Sequence, residues 1–411
     1  MGCRGVGRIL ALLADRLGLR KVPHHTTIRQ WVLKRGYHQV VHQTVEKAKD
    51  WGAIFDLTVG IGALKCLLVL GVRLKSLLAR DDFTLSHHDT QVLGIYFTTK
   101  STGDFVHKSL KNAEKKIGHP FACLLLDQGS DVTKGANIYR ENSRNTVIVH
   151  DVSHKIAIVL ERHLKSDPFW KVFCDYITAT KLAVQQTTDL AALMPPKLRS
   201  KARYMSADVL LSWITRFQES KQLGHMNSIT QARLKEYFGW TDSLIIHIEC
   251  WKQMISIGET IKNLVSSEGF SHKAYMKLED LLNTEFLDAA PKVIDFIDDA
   301  KNAIWDEVEL LKPRQIVPGD SRVIESIFGK FKQSPSSQLH GITIGALGIA
   351  TFMSSNGIED AKNAMENTTM AQVIKWGREC IGSSLASLRR KFFPHKKRNK
   401  NSEIFIEESY A

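Results

Sequence analysis

The chain has 411 residues, 43% of them hydrophobic, and a formal net charge of +13. That length and apolar content exclude a wholly disordered polypeptide and leave room for two or three domains, or one domain with a large insertion. The excess of positive charge suits a polyanionic partner, most simply nucleic acid.

The charge is unevenly placed. Residues 1–50 carry ten Lys or Arg against three Asp or Glu, and Arg389, Arg390, Lys391, Lys396, Lys397, Arg398 and Lys400 crowd the tail. Residues 278–311 invert this, with ten acids against two lysines, and read as a poor place for phosphates. The six cysteines are scattered without a Cys-x-x-Cys, so neither a zinc knuckle nor a disulfide framework is expected, and a reducing compartment is the simpler reading. Apolar runs are broken by charges, as Leu64–Leu74 is by Lys65 and Arg73, and none reaches the roughly 18 residues of a membrane span. Arg4 and Arg8 precede a short apolar stretch with no small-residue cleavage site, so no signal peptide is expected and a cytoplasmic location is.

In chain order, residues 4–18 read as an amphipathic helix, with Val6, Ile9, Leu10, Leu12, Leu13 and Leu17 at mixed three- and four-residue spacing. After Gly18 and Pro23, Thr26 or Thr27 can cap a second helix, Ile28–Arg35, burying Ile28, Trp31 and Val32 and exposing Arg29, Gln30, Lys34 and Arg35. A helix, a turn and a helix with a basic face is similar to a DNA-reading helix-turn-helix, here without an initial third helix. Residues 1–48 are therefore expected to be a small, truncated or minimal DNA-binding region.

Residues 49–164 change character. Ala53–Phe55, Lys65–Val72 and Val92–Phe97 read as strands, followed by a helix from Gly103, a strand Phe121–Leu126, a helix Lys134–Glu141, a strand Thr146–His150 and a helix Val152–Leu164. A three-strand meander followed by crossover units predicts an α/β fold, a mixed sheet flanked by helices. Strand signals vanish over 165–315, where six long helical patterns predict an all-helical insertion. Residues 316–392 return to the first domain with helices near 341–353 and 370–392, and 393–411 reads as a basic, disordered tail.

Three carboxylates stand out against this order. Asp56 closes the run Trp51-Gly-Ala-Ile-Phe-Asp56-Leu-Thr58, and Asp127 closes Phe121-Ala-Cys-Leu-Leu-Leu-Asp127. Glu325 lies in the helical stretch Asp320-Ser-Arg-Val-Ile-Glu325-Ser-Ile-Phe-Gly-Lys330. Asp131 and Asp151 rival Asp127, and Asp320 rivals Glu325. Two strand-end aspartates and a helical glutamate can converge on two Mg²⁺ (or Mn²⁺) ions, an arrangement suited to in-line attack on a phosphodiester. Lys330 and Lys332 would then face DNA, and the strip Lys197, Arg199, Lys201 and Arg203 beside Tyr204 could track its backbone. Trp240, Trp251 and Trp305 read as core.

The order strand-Asp56, two strands, strand-Asp127, helical insertion, helix-Glu325 resembles the DDE transposases of the RNase H-like superfamily, closest to hAT-type, Mutator-like and several bacterial insertion-sequence enzymes. The resemblance covers roughly 50–160 and 316–355. It implies that Asp56, Asp127 and Glu325 bind the catalytic metals. It implies also that Asp151-Val-Ser-His154 places a helper histidine, His154, near the site. Double-stranded DNA as partner, assembly as a dimer or larger complex, and a bacterial-type nucleoid-associated location follow from it as expectations. An inactive DNA-binding relic and an RNase H-like repair nuclease are the alternatives.

Overall fold

The computed structural model describes residues 2–59, 64–198, 207–223, 229, 231–333, 342–353, 357–383 and 385–393. The first strand, β1 (Trp51–Val59), pairs antiparallel with β2 (Lys65–Arg73), and β2, followed by the short helix α3 (Leu74–Leu78), pairs antiparallel with β3 (Thr90–Thr98). On its other side β1 runs parallel to β4 (Cys123–Leu126), and β4 runs parallel to β5 (Val147–His150). The order β3-β2-β1-β4-β5 makes a five-stranded mixed sheet. The expected strands are all present, and the meander and crossovers fall where the sequence placed them.

Strand periodicity sorts the side chains onto two faces. Trp51, Ala53, Phe55, Leu124 and Leu126 pack with Val106, Leu110, Ala113 and Ile117 of α4 (Gly103–Ile117) and with Tyr139 of α5 (Ser130–Glu141). Helix α4 is capped at its start by Thr102, which accepts from Phe105 N–H, and ends at Gly118, whose φ of 75° few other residues adopt. Ile54, Leu68, Leu125 and Val149 point the opposite way, into a larger core shared with α6 (Val152–Ser166) and the helices beyond it.

Those helices are α7 (Pro168–Val184), α8 (Ala207–Gln222), α9 (Gln231–Phe238), the short α10 (Trp240–Ser243), α11 (Ile245–Glu268), α12 (His272–Glu285) and α13 (Pro291–Val308). The insertion is helical as expected, apart from an isolated bridge between Phe270 and Val317. Its central helices α11 and α13 pack on α6, so insertion and sheet share one core. The chain returns through α14 (Arg322–Lys332), which packs against β1 through buried Val323, Ile324, Ile327 and Phe328.

The ends of the chain depart from expectation. The first helix, α1, spans only Cys3–Leu12, and the chain then turns through Gly18. The second, α2, runs His25–Val41, well past Arg35, because its C-terminal half is buried. It packs on β3 and on a 3-10 segment, Ile344–Phe352, that replaces the helix expected near 341–353. That contact rotates the buried face to Ile28, Leu33, Tyr37 and Val40 and leaves Trp31 43% exposed. An unexpected helix α15 (Ile358–Asn367) follows, and the stretch expected near 370–392 divides into α16 (Met370–Cys380) and α17 (Leu385–Phe392), with Gly382 at a φ of 77° between them. The tail expected to be disordered lies almost wholly outside the described residues. Among the described residues no helix is long and apolar enough to cross a membrane.

Gly36 is where α2 meets the 3-10 segment most closely: a Cβ there would lie 2.0 Å from the Leu347 carbonyl oxygen. Backbone cannot yield as a side-chain tip does, so Gly36→Ala should destabilise the protein by about 2 kcal/mol net. This holds although alanine gains about 1 kcal/mol of helix propensity. Urea denaturation measures it, and an equal or higher stability would show that α2 is not seated against Leu347.

Candidate active site on β1 and at the end of β4

The parallel register of β1 and β4 matches Phe55 with Leu126, so the next residues along, Asp56 and Asp127, stand side by side. Both follow inward-facing neighbours (Ile54, Leu125) by two positions, which turns them toward the face covered by α14. The carboxyl of Asp56 accepts from Leu57 N–H at 2.6 Å. Burial, then the negative charge of Asp127, and further the charge of Glu325 push it up to about 7, against the opposing pull of that hydrogen bond and of Lys332. Glu325, in the first turn of α14, is thus brought to the two aspartates from the far side of the insertion. Thr58, two residues beyond Asp56, is buried, and its hydroxyl has no hydrogen-bond partner among the described residues.

Asp127 is half-buried, and its Oδ1 accepts from Gly129 N–H at 3.1 Å. Its Oδ2 lies 3.9 Å from His154 Nε2. Asp151 is not a rival ligand but the clamp of the site. It is 1% exposed, caps α6 by accepting from His154 N–H at 2.9 Å, and accepts from Ser321 N–H at 2.6 Å through its other oxygen. Val152 N–H donates to the Gly319 carbonyl at 2.9 Å, a second tie between the same segments. Together these fix the start of α6, carrying His154, to the start of α14, carrying Glu325. Asp320 is likewise engaged elsewhere, accepting from Ser266 Oγ at 2.6 Å and from Arg322. Asp131 sits in the first turn of α5, and the acids acting on Asp56 are Asp127 and Glu325.

The expected DNA-contacting residues are dispersed. Arg29 and Gln30 are exposed on α2, whereas Lys34 donates to the Met365 carbonyl at 3.3 Å. Arg35 is half-buried, with Nε and one terminal nitrogen shielded and unpartnered. Lys330 is not simply turned to solvent: its Nζ contacts His87 Nε2 at 2.7 Å and lies over the Phe352 ring. The site therefore has a neighbour that the sequence did not single out, His87, pushed below its ordinary value by burial and by Lys330. Lys332 is exposed, and its charge acts on Asp56. Lys197 is exposed; Arg199, Lys201, Arg203 and Tyr204 lie outside the described residues. Trp251 is core as expected, Trp240 is half-buried and stacked on Tyr176, and Trp305 is 38% exposed.

A second unforeseen feature is Glu307 of α13, only 2% exposed although it belongs to the acidic stretch 278–311. It accepts from His150 N–H at 2.9 Å, meets His150 Nδ1 at 3.1 Å and Lys155 Nζ at 2.6 Å. Burial alone would raise its carboxyl, but these partners outweigh burial and hold it below its ordinary value. No sequence signal separates Glu307 from its exposed neighbours.

Among the described residues, no three His, Cys, Asp or Glu side chains are gathered closely enough to hold a metal ion. The donor set still suits a hard divalent cation. Asp56, Asp127 and Glu325 offer only carboxylate oxygens, and the Asp56 carboxyl, raised by burial and then by the charges of Asp127 and Glu325, sits among like charges that a cation would offset.

The raised Asp56 carboxyl has a consequence for stability. The folded protein keeps a proton that the unfolded chain sheds near 3.8, so stability falls as pH rises from about 4 to about 7 and the penalty is complete above that. Asp56→Asn removes the penalty. Its stability advantage over the parent should widen from pH 5 to pH 8, by at most about 3 kcal/mol, in parallel urea titrations. A gap independent of pH would mean an ordinary carboxyl. Asp151→Ala strands two N–H donors and should cost about 2–3 kcal/mol, with Asp151→Asn milder because one acceptor remains; equal stability of all three would dissolve the clamp. No protein-family model matches the chain and no curated protein matches it, so its chemistry has to be read from these residues.

Proposed function

We propose that the chain is a DNA transposase of the DDE type, acting through Asp56, Asp127 and Glu325 on a sheet of RNase H-like kind. The observation that carries this reading is the β1–β4 register, which sets Asp56 beside Asp127 while α14 brings Glu325 close enough to act on the Asp56 carboxyl. The element order on which the family resemblance rests, with its helical insertion between the second and third acids, is also the order of the fold. The net charge of +13 suits a DNA partner.

In this reading Asp56, Asp127 and Glu325 hold Mg²⁺ or Mn²⁺, which when bound supplies positive charge for the attacking and leaving oxygens. Asp56 would hold such an ion as the carboxylate, and so without the proton it otherwise keeps up to about 7. His154, placed by Asp151 beside Asp127, hydrogen-bonds a phosphate oxygen and orients the reacting group. Lys332 adds positive charge on the same side. Water cleaves a strand at the element's end, and the freed 3′ hydroxyl then attacks target DNA, each step exchanging one phosphorus–oxygen bond for another. Pairing two DNA ends calls for a dimer or larger assembly, and the work belongs with DNA in the cytoplasm of a bacterial-type cell.

Asp127→Asn should abolish Mg²⁺- or Mn²⁺-dependent nicking of supercoiled plasmid, a loss of at least about a hundredfold, while DNA affinity stays within about twofold. Nicking that survives the substitution would remove Asp127 from the chemistry. DNA binding by the parent with no nicking would assign the chain to the inactive relics, and cut ends without strand transfer to a donor oligonucleotide would assign it to the nucleases.

A further inference from the structure

In the parallel strands β1, β4 and β5 the row that begins with Asp56 and Asp127 continues to Asp151, and His150, the last residue of β5, is level with Leu126 one position earlier. Beside Asp127, between that strand end and α5, lies an open cleft of about 600 Å³. It is lined by Gln128, Ser130, Thr133, Lys134, Asn137 and His150, with Glu141 at the far end of α5. Crevices outside the carboxyl ends of parallel strands are where α/β sheets hold ligands.

The lining has a definite chemistry. Gln128 and Asn137 offer amides, each able to donate and accept at once, the pattern that reads a nucleobase edge. Thr133 Oγ1 is shielded from solvent and has no hydrogen-bond partner among the described residues, an unmet capacity in the wall of the cleft. Lys134 is exposed and makes no ion pair among the described residues. The His150 ring is held by Glu307 through Nδ1, which leaves Nε2 as its other polar atom. Glu141 sits two helical turns from Lys134, so the anionic part of any ligand belongs at the Lys134 end, toward Asp127.

We infer that this cleft receives one nucleotide of the DNA strand adjoining the reacting phosphate, with Lys134 and His150 at its phosphate and Gln128 and Asn137 at its base. The inference rests on the reading of the protein as a DNA-processing enzyme and adds to it a place for the substrate strand. The cleft begins at Gln128, the residue that follows Asp127, and so adjoins the same end of β4. The Glu307 contact makes the helical insertion a structural support of that cleft.

The test uses the full-length chain, a fluorescein-labelled 30-base-pair DNA of mixed sequence without divalent metal, and nicking of supercoiled plasmid in Mn²⁺. Lys134→Ala should weaken binding about fivefold and lower the slope of log affinity against log salt by about one phosphate contact. Asn137→Ala should weaken binding about threefold with an unchanged salt slope, because it loses a base contact and not a charge. Lys171→Ala, on the exposed side of α7, is the control for loss of any surface cation and should leave affinity unchanged. If the parent binds and nicks DNA while both cleft variants match it, or match the Lys171 control, the cleft is overturned and the transposase reading stands. If the parent neither binds nor nicks, both fall.

Discussion

One buried carboxylate sets the geometry of the candidate site without being part of its chemistry. Asp151 accepts N–H groups from His154 and Ser321, residues far apart in the chain, on its two oxygens. A carboxylate that is 1% exposed is tolerable only when its lone pairs are taken up, and here two backbone donors do so. The result is a junction between the end of β5, the start of α6 and the start of α14. Because α14 also presses Ile324 and Phe328 into the core, its angle is fixed at both the junction and the sheet, and Glu325 has a defined place beside β1.

Around that junction the charges are arranged in two ways. Asp56, Asp127 and Glu325 are like charges brought together, and burial first, then these charges, leave an Asp56 carboxyl that keeps its proton up to about 7. Such a penalty is what a site retains when its geometry serves a ligand more than the folded state. Glu307 is the opposite case: more fully shielded, but surrounded by His150 and Lys155, and therefore ionised and cohesive. It also shows that the helical insertion is joined to the end of β5 by a polar contact as well as by the shared core.

The N-terminal region gains a different meaning from its packing. Read alone, residues 25–41 offer a basic helix for a DNA groove; in the fold, Leu33, Tyr37 and Val40 join the main core, and Gly36 lets α2 lie against the backbone of Leu347. Arg29 and Gln30 keep their exposure, while Lys34 bonds the Met365 carbonyl in α15. The distinction matters because a helix held by a C-terminal segment cannot reorient on DNA independently of the sheet.

The amino-acid sequence alone determined the strands of the sheet, the helical character of 165–315 and the position of Asp127 at the end of β4, whereas Asp56, expected at a strand end, lies within β1, which pairs with β2 as far as Val59. These are local properties: two-residue alternation, helical spacing and the breaks at Gly and Pro act over a few residues. It misjudged the reach of α2, the division of 370–392 and the face of Trp31, where contacts with distant segments override local pattern. Only the tertiary structure decided that Asp151 clamps, that Asp320 is spent on Ser266 and Arg322, and that Glu307 is buried among acids that are not. An acidic side chain carries the same letter whether it meets water, a backbone donor or another carboxylate, and which of these it meets is set in large part by residues distant in the chain, as Ser321 is from Asp151 and His150 from Glu307.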